Sequence, residues 1–131
     1  MSAKVRFASD TDAPQIRALL EDTGLTVPGT SYNRFDPSTW VAVGEEPDVI
    51  GVLMAVLGYP LSVILNLVVA PHWYHRGVGT ALLTTFESHL KGLGYPTWIA
   101  CTDIARPSSD YVQGWPGVQS LGIASVWGKV L

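Results

Sequence analysis

The chain has 131 residues, enough for one domain, and a domain of this length buries roughly two thirds of the surface that its unfolded chain exposes. Its net charge of −3 and its eight scattered Lys and Arg residues provide no basic surface for a nucleic-acid backbone, so nucleic-acid binding is not expected. The single cysteine, Cys101, excludes an internal disulfide, and the N-terminus lacks the apolar core of a signal peptide. We therefore expect one cytoplasmic domain over residues 1–131.

The first third of the chain predicts a strand, a helix and a loop. Residues 5–8 alternate apolar and polar side chains, as in a short strand, and the acidic, proline-bearing segment 10–15 is typical of a helix start. Gly24 is placed to end the helix, and segment 25–38 is a predicted loop of the kind that covers a substrate in many enzymes. The apolar stripe of this helix would consist of Ile16, Leu19 and Leu20.

The centre of the chain predicts a meander of three strands over residues 39–44, 49–57 and 61–70. The uncharged run from 49 to 70 is also long enough to cross a bilayer. However, Gly58-Tyr59-Pro60 interrupts it and branched aliphatic residues dominate it, so two buried strands are favoured over a membrane span.

A helix, a strand and a weaker last third follow. Residues 80–90 predict an amphipathic helix that ends at Gly92 and Gly94. A strand at 97–102 would run parallel to the strand at 61–70, because a crossover helix joins them. A final strand is predicted within 120–130. The helix would bury Leu82, Leu83, Phe86 and Leu90, and it would expose Thr84, Glu87, His89 and Lys91.

A turn with two glycines, two histidines and one arginine lies between the third meander strand and this helix, and its residues 71–79 read PHWYHRGVG. Two glycines at alternate positions allow the backbone to curl and to expose several N–H donors, and the next helix directs its positive dipole end at the same place. These features predict an anion site that would suit a phosphate.

The segments LNLVVAP at 65–71 and RGVGTALL at 76–83 resemble the acyl-CoA-binding motif of the GNAT superfamily of N-acetyltransferases. In that family a strand ending in Val-x-Pro leads to Gln/Arg-x-x-Gly-x-Gly/Ala and then to a helix whose first turn binds the diphosphate of coenzyme A. Here Tyr74 stands where the family has Gln or Arg, and Arg76 could supply the cation instead. The resemblance covers residues 5–102. It implies an α/β fold of the α+β type, in which helices flank a central mixed, mostly antiparallel sheet of about six strands.

The same resemblance implies the positions of the binding groups. Acetyl-CoA would be the cosubstrate, no metal would be needed, and segment 97–102 would form the far side of a gap that holds the pantetheine arm. The diphosphate would lie on His75, Arg76, Gly77, Val78, Gly79 and Thr80, and the pantetheine arm on Leu67, Val68 and Val69.

The residues that the family uses for proton transfer are only partly present in this sequence. Many GNAT enzymes use a Glu on the splayed strand as base, but Asn66 is found there and residues 49–71 contain no carboxylate. His72 and Asp103 are substitutes by proximity only, and no base is needed if the amine arrives neutral. Tyr111, before Gly114 and Trp115, is the predicted acid for the departing thiolate; an ordinary packed tyrosine explains it equally well.

Other candidate residues have simpler interpretations. His72 and His75 are three apart, but no third ligand lies nearby in sequence, so a metal site is not expected. Cys101 lies within an apolar strand and is assigned to packing.

The implied function is transfer of an acetyl group from acetyl-CoA to a primary amine of a small molecule or peptide, by direct attack. A catalytically silent acyl-CoA-binding or regulatory module is an alternative, because the Glu is missing. A third hypothesis is a subunit whose 47% hydrophobic composition reflects a protein interface. A homodimer would be consistent with either an enzyme or an interface subunit.

Overall fold

A computed structural model of the chain describes residues 3–22, 38–44, 48–101, 117, 119–120 and 126–131. These residues form a seven-stranded sheet with a helix on each face. The strands are β1 Lys4–Phe7, β2 Ser38–Val43, β3 Val49–Val56, β4 Leu61–Val69, β5 Thr97–Cys101, β6 Gln119–Ser120 and β7 Val126–Val130. The helices are α1 Ala13–Asp22 and α2 Val78–Leu93.

The sheet has the strand order β1-β2-β3-β4-β5-β7-β6. Among the described strands, β4 and β5 form the one parallel pair, and α2 is the crossover that joins them. The predicted mixed, mostly antiparallel sheet is confirmed. It has seven strands rather than about six, because the strand predicted within 120–130 is present as β7 and a short extra strand, β6, pairs with it through Gln119↔Gly128 and Ser120↔Trp127.

The run from 49 to 70 forms the antiparallel strands β3 and β4, with the break at Gly58-Tyr59-Pro60 where it was predicted. Seven of the eight residues of β3 are buried, because α1 covers one face of this strand and α2 covers the other. Val52 accordingly packs with the α1 cluster, whereas its neighbour Leu53 packs with the α2 cluster. None of the helices in the described part of the chain is long and apolar enough to cross a membrane.

Helix α2 buries the predicted stripe of Leu82, Leu83, Phe86 and Leu90, each with 0% exposure. Fully burying such a side chain is worth about 1.5–3 kcal/mol, so this stripe supplies much of the attachment of α2 to the sheet. The helix begins two residues earlier than predicted, since Gly79 lies inside its first turn. It ends three residues later, where Gly94 takes a left-handed conformation with φ 75° and donates its N–H to the carbonyls of Leu90 and Lys91.

Two residues predicted on the exposed face of α2 are not exposed. The Glu87 carboxylate is buried. It accepts a 2.8 Å hydrogen bond from Trp98 Nε1 in β5 and pairs with Lys129 Nζ in β7 at 2.9 Å, and these contacts offset the cost of burying its charge. His89 contacts the rings of Phe7 and Trp40 edge to face, with centroids 5.3 and 5.5 Å away. Both predictions failed because helical periodicity does not show how far the sheet extends beneath the helix.

The start of α1 is fixed by a charged pair. Asp12, in a 3-10 turn over Asp10–Asp12, accepts hydrogen bonds from Arg6 Nη1 at 2.7 Å and Nη2 at 3.0 Å, and from the Ser9 backbone N–H at 2.8 Å. The Arg6 guanidinium, followed by the Ser9 N–H, lowers the pKa of the Asp12 carboxyl below its usual value. Pro14 and Gln15 follow as predicted for a helix start. Gly24 and nearly all of the predicted loop at 25–38 lie outside the described residues.

Candidate functional site

Strands β4 and β5 are paired over only half of the length of β4. Their register runs from Leu61↔Thr97 to Ile64↔Ala100. Beyond Ile64, β4 continues to Val69 and remains paired with β3 on its other side, through Val69↔Gly51. Within the described residues, the edge of β4 that faces β5 therefore has no strand partner beyond Ile64.

A β-bulge lies at the point where this pairing stops. Met54 and Ala55 are consecutive in β3, but their partners Asn66 and Ile64 are two apart, so Leu65 is an extra residue on β4. Its side chain is 42% exposed although the strand is central in the sheet. A bulge bends its strand and increases the local twist, and this one directly follows Ile64, the last residue of β4 that pairs with β5.

The three predicted pantetheine-binding residues lie beyond this bulge. Leu67, Val68 and Val69 are paired with β3, and their side chains alternate between the two cores. The Ala70 N–H bonds to the Ile50 carbonyl of β3, so the main-chain groups of Val68, two residues earlier, also face β3. Those of Leu67 and Val69 face the other edge, which no described strand pairs. Unpaired main-chain groups of a strand can hydrogen-bond an extended amide-containing chain, as an added strand would.

The turn after β4 has two residues in the left-handed region. These are His75, with φ 61°, and Gly77, with φ 82°, whereas Gly79 is helical. The prediction that two glycines curl the turn is therefore half correct, since His75 takes the conformation expected of the second glycine. A non-glycine residue with positive φ is uncommon and costs about 1–2 kcal/mol. Such residues occur mainly where the surrounding structure enforces them, often at binding sites.

The first turn of α2 directs main-chain donors outwards from this bend. Gly77 is the N-cap residue, no side chain caps the helix there, and the first intrahelical bond runs from Ala81 N–H to the Gly77 carbonyl at 3.0 Å. The amides of Val78 and Gly79 precede that bond, so they have no acceptor within the helix. Together with the helix dipole, these amides favour an anion.

The side chains of the turn are positioned by Trp73. Its indole packs against the α2 core, and the Arg76 guanidinium carbon lies 5.5 Å from the indole centroid, within the range of a cation–π contact. Arg76 and His75 are both exposed, so the cation stands beside the helix N-terminus and is open to solvent. Trp73 had no assigned role in the sequence analysis, because a single Trp in a turn carries no pattern.

Asn66 lies next to the bulge on the α1 side of the sheet. It is half-buried, and its Nδ2 donates a weak hydrogen bond to Met54 Sδ at 3.9 Å. The amide oxygen of Asn66 takes no part in this contact. Asn66 lies on the part of β4 that no described strand pairs on the β5 side. Tyr111 and Asp103 lie outside the described residues.

Comparison with known proteins identifies the class to which this fold and site belong. Residues 8–110, well over half of the chain, match the model of the acetyltransferase (GNAT) family. The chain therefore belongs to the GNAT acetyltransferase family, and this membership supports acyl transfer as its class of reaction. A search of curated proteins gives no match.

Solved structures share the whole fold. The PaiA N-acetyltransferase of Thermoplasma acidophilum, solved with coenzyme A, aligns with a TM-score of 0.80 at 15% identity over 100% of both chains. A GNAT acetyltransferase from Staphylococcus aureus Mu50 gives 0.82 at 11% identity over 99% of each chain. The ribosomal-protein-S18-alanine N-acetyltransferase of Escherichia coli gives 0.80 at 11% identity, over 98% of this chain and 94% of the other. At these identities the likeness shows the fold.

Proposed function

We propose that this protein, as a single domain over residues 1–131, transfers an acetyl group from acetyl-CoA to a primary amine. The observation that carries the proposal is made on the described residues: none of their strands pairs the β5-facing edge of β4 beyond Ile64, and none of their side chains caps the helix that begins after the same strand. That edge can hold the amide-rich pantetheine arm and that helix N-terminus the diphosphate. The PaiA relative was solved with coenzyme A, which is consistent with this assignment.

In the proposed complex, the diphosphate accepts hydrogen bonds from the amides of residues 75–80 and is paired with the Arg76 guanidinium. Charge-assisted hydrogen bonds of this kind are roughly twice as strong as neutral ones. Main-chain donors do not depend on side-chain identity, so Tyr74 in place of Gln or Arg need not abolish binding. The pantetheine arm then extends along Leu67, Val68 and Val69 towards the gap.

The proposed reaction is one addition and one elimination. The amine nitrogen attacks the thioester carbonyl, a C–N bond forms, and the resulting oxyanion is stabilised by main-chain N–H donors at the gap. The C–S bond then breaks, the nitrogen loses a proton and the thiolate gains one. Orientation of the two reactants by the strand edge supplies much of the rate enhancement.

The presence of Asn66 affects how the acceptor amine can lose its proton. An alkylamine has a pKa near 10, and an uncharged amide cannot accept its proton, although the Asn66 oxygen could accept a hydrogen bond from a neutral amine. We therefore propose that Asn66 orients the acceptor, and that Tyr111 protonates the thiolate. The acceptor would be a small molecule or a peptide amine, and the protein would act in the cytoplasm, with a homodimer as its proposed assembly.

Thermal unfolding tests the coenzyme site first. Coenzyme A at a hundred times its dissociation constant should stabilise the protein by about 2.7 kcal/mol, which is roughly a 10 °C rise in Tm for a domain of this size. Inorganic phosphate at the same ionic strength is the control. If coenzyme A produces no rise at millimolar concentration, the proposed coenzyme site is wrong.

Thiol release from acetyl-CoA then separates an enzyme from a silent module. Asn66, in place of a carboxylate, favours the second candidate, an acyl-CoA-binding or regulatory protein. A panel of polyamines, amino acids, aminoglycosides and lysine peptides should include at least one that releases thiol in proportion to enzyme. A clear thermal shift without thiol release from any of them would support the silent module instead.

A further inference from the structure

A buried glycine in the central strand determines how closely α2 can approach the sheet. Gly51, in β3, is paired with Val69 and lies on the face that α2 covers. A Cβ atom added there would lie 2.8 Å from Val78 Cγ1, 3.1 Å from Leu82 Cδ1 and 3.3 Å from the Val68 carbonyl oxygen. Since real Cβ atoms essentially never come closer than 3.0 Å to such neighbours, any other residue would force one of them to move.

The first turn of α2 is the part that can yield. Val68 belongs to a central strand and is fixed by its pairing with Val52. Val78, by contrast, is the first residue of the helix and follows the exposed bend at 74–77, so its position in the core is less constrained by neighbouring strands. The far end of the helix is retained by Leu90, which is fully buried. A side chain at position 51 would therefore lift the helix start away from the face of the sheet.

That displacement would change the distance between the amides in the first turn of α2 and the strand residues of β4. Val78 provides one of the amides in the first turn, and Val68 is one of the strand residues along which the pantetheine arm is proposed to lie. The space left by Gly51 sets the distance between them. A ligand whose diphosphate and amide arm are covalently joined needs both halves at one fixed separation.

We propose that Gly51 is a positioning residue for coenzyme A: by lacking a side chain, it holds the first turn of α2 at the depth where its amides reach the diphosphate. Gly51 itself contacts no ligand. This inference rests on the proposed function, because it concerns the same site.

The test is isothermal titration with coenzyme A of three variants whose folding is confirmed by circular dichroism. Gly51→Ala should bind coenzyme A roughly tenfold or more weakly, because loss of even one hydrogen bond to a charged group is of that order. Gly51→Ala combined with Val78→Ala removes Cγ1, the closest obstructing atom, and should recover most of the affinity. A loss caused by general destabilisation would not be recovered, since the second truncation adds a cavity.

Gly92→Ala is the matched control. Gly92 lies near the far end of α2, and a Cβ there would meet no described atom within 4 Å, so this variant should bind coenzyme A as the wild type does. The inference is overturned if folded Gly51→Ala retains full affinity, or if the folded double variant binds no better than Gly51→Ala.

If Gly51→Ala alone does not fold, the double variant is compared with the wild type, and near-equal affinity supports the inference whereas a large loss overturns it. If the wild type itself gives no heat with coenzyme A, the proposed function fails and this inference fails with it.

Discussion

Single glycines in this chain have opposite roles according to their backbone conformation. Gly77 has φ 82°, whereas Gly92 lies in helical conformation, and a Cβ added at either would meet no atom of the described residues within 4 Å. The difference between them is therefore one of backbone strain and not of packing. This makes them a matched pair in which the same substitution should have effects of opposite sign.

We predict that Gly77→Ala lowers the free energy of unfolding by about 1 kcal/mol, because an L-residue is strained in the left-handed region. Gly92→Ala should raise it by about 0.5–1 kcal/mol, because alanine loses less backbone entropy in a helix. Urea unfolding followed by circular dichroism measures both. Equal effects of the same sign would contradict the assignment of Gly77 to the left-handed region.

Asp12 predicts a pH dependence. Its pKa is lowered in the folded protein, so its contribution to stability is complete above the unfolded value of about 4 and is lost as the pH falls through the lower folded value. Asp12→Asn should therefore be less stable than the wild type by about 1–2 kcal/mol at pH 7, and this difference should shrink below pH 4. Asp10→Asn, an exposed change in the same turn, is the control. A difference that stays constant down to pH 2.5 would exclude this role for the Arg6 pair.

Among the helices and strands, α2 shows most clearly where the burial predicted from the sequence pattern and the burial in the structure differ. Its buried stripe was predictable, because apolar residues at helical spacing face a core in almost any fold. The burial of Glu87 was not predictable, because it depends on Trp98 and Lys129, which come from two other strands. The bulge at Leu65 was not predicted from the sequence; it puts Ile64 and Leu67 in the same core, although an unbroken strand would place them on opposite faces.

The Glu87 interaction allows a test of how α2 is attached to β5 and β7. Lys129→Met should destabilise the protein by on the order of 3 kcal/mol, because the buried Glu87 carboxylate then loses its ion pair with Lys129. Glu87→Gln added to Lys129→Met should restore part of this loss, since a neutral amide oxygen can still accept from Trp98 Nε1–H. The measurement is a double-mutant cycle in urea. A double variant less stable than Lys129→Met would show that the carboxylate is not the destabilising group.

At the scale of the whole molecule, the order of elements up to β5 and the sheet class followed from the sequence, because each strand and helix there had its own periodicity and turn residues. For the candidate site, the sequence predicted which segments form it but not their detailed geometry. Three of its features arise from tertiary geometry: the left-handed His75, the contact between Arg76 and Trp73, and the edge of β4 that no described strand pairs. Tyr111 remains a prediction.

Both faces of β3 are buried, so we predict that the two helix layers unfold together. Ile16→Ala on the α1 side and Leu83→Ala on the α2 side should each cost about 2–5 kcal/mol. In both variants, the transitions followed by tryptophan fluorescence and by circular dichroism should coincide, as in a two-state domain. A separate early transition in Ile16→Ala would show that α1 and its layer form an independent unit.

Helix α2 has 16 residues and is about 24 Å long. Its length determines where β5 begins along the sheet. As a result Thr97, the first residue of β5, pairs with Leu61, the first residue of β4. Because β5 has only five residues and β4 has nine, the shorter strand ends before the longer one does. Shortening or lengthening this helix by one turn would slide β5 along its neighbour and so change the depth of the cleft, without altering any residue that lines it.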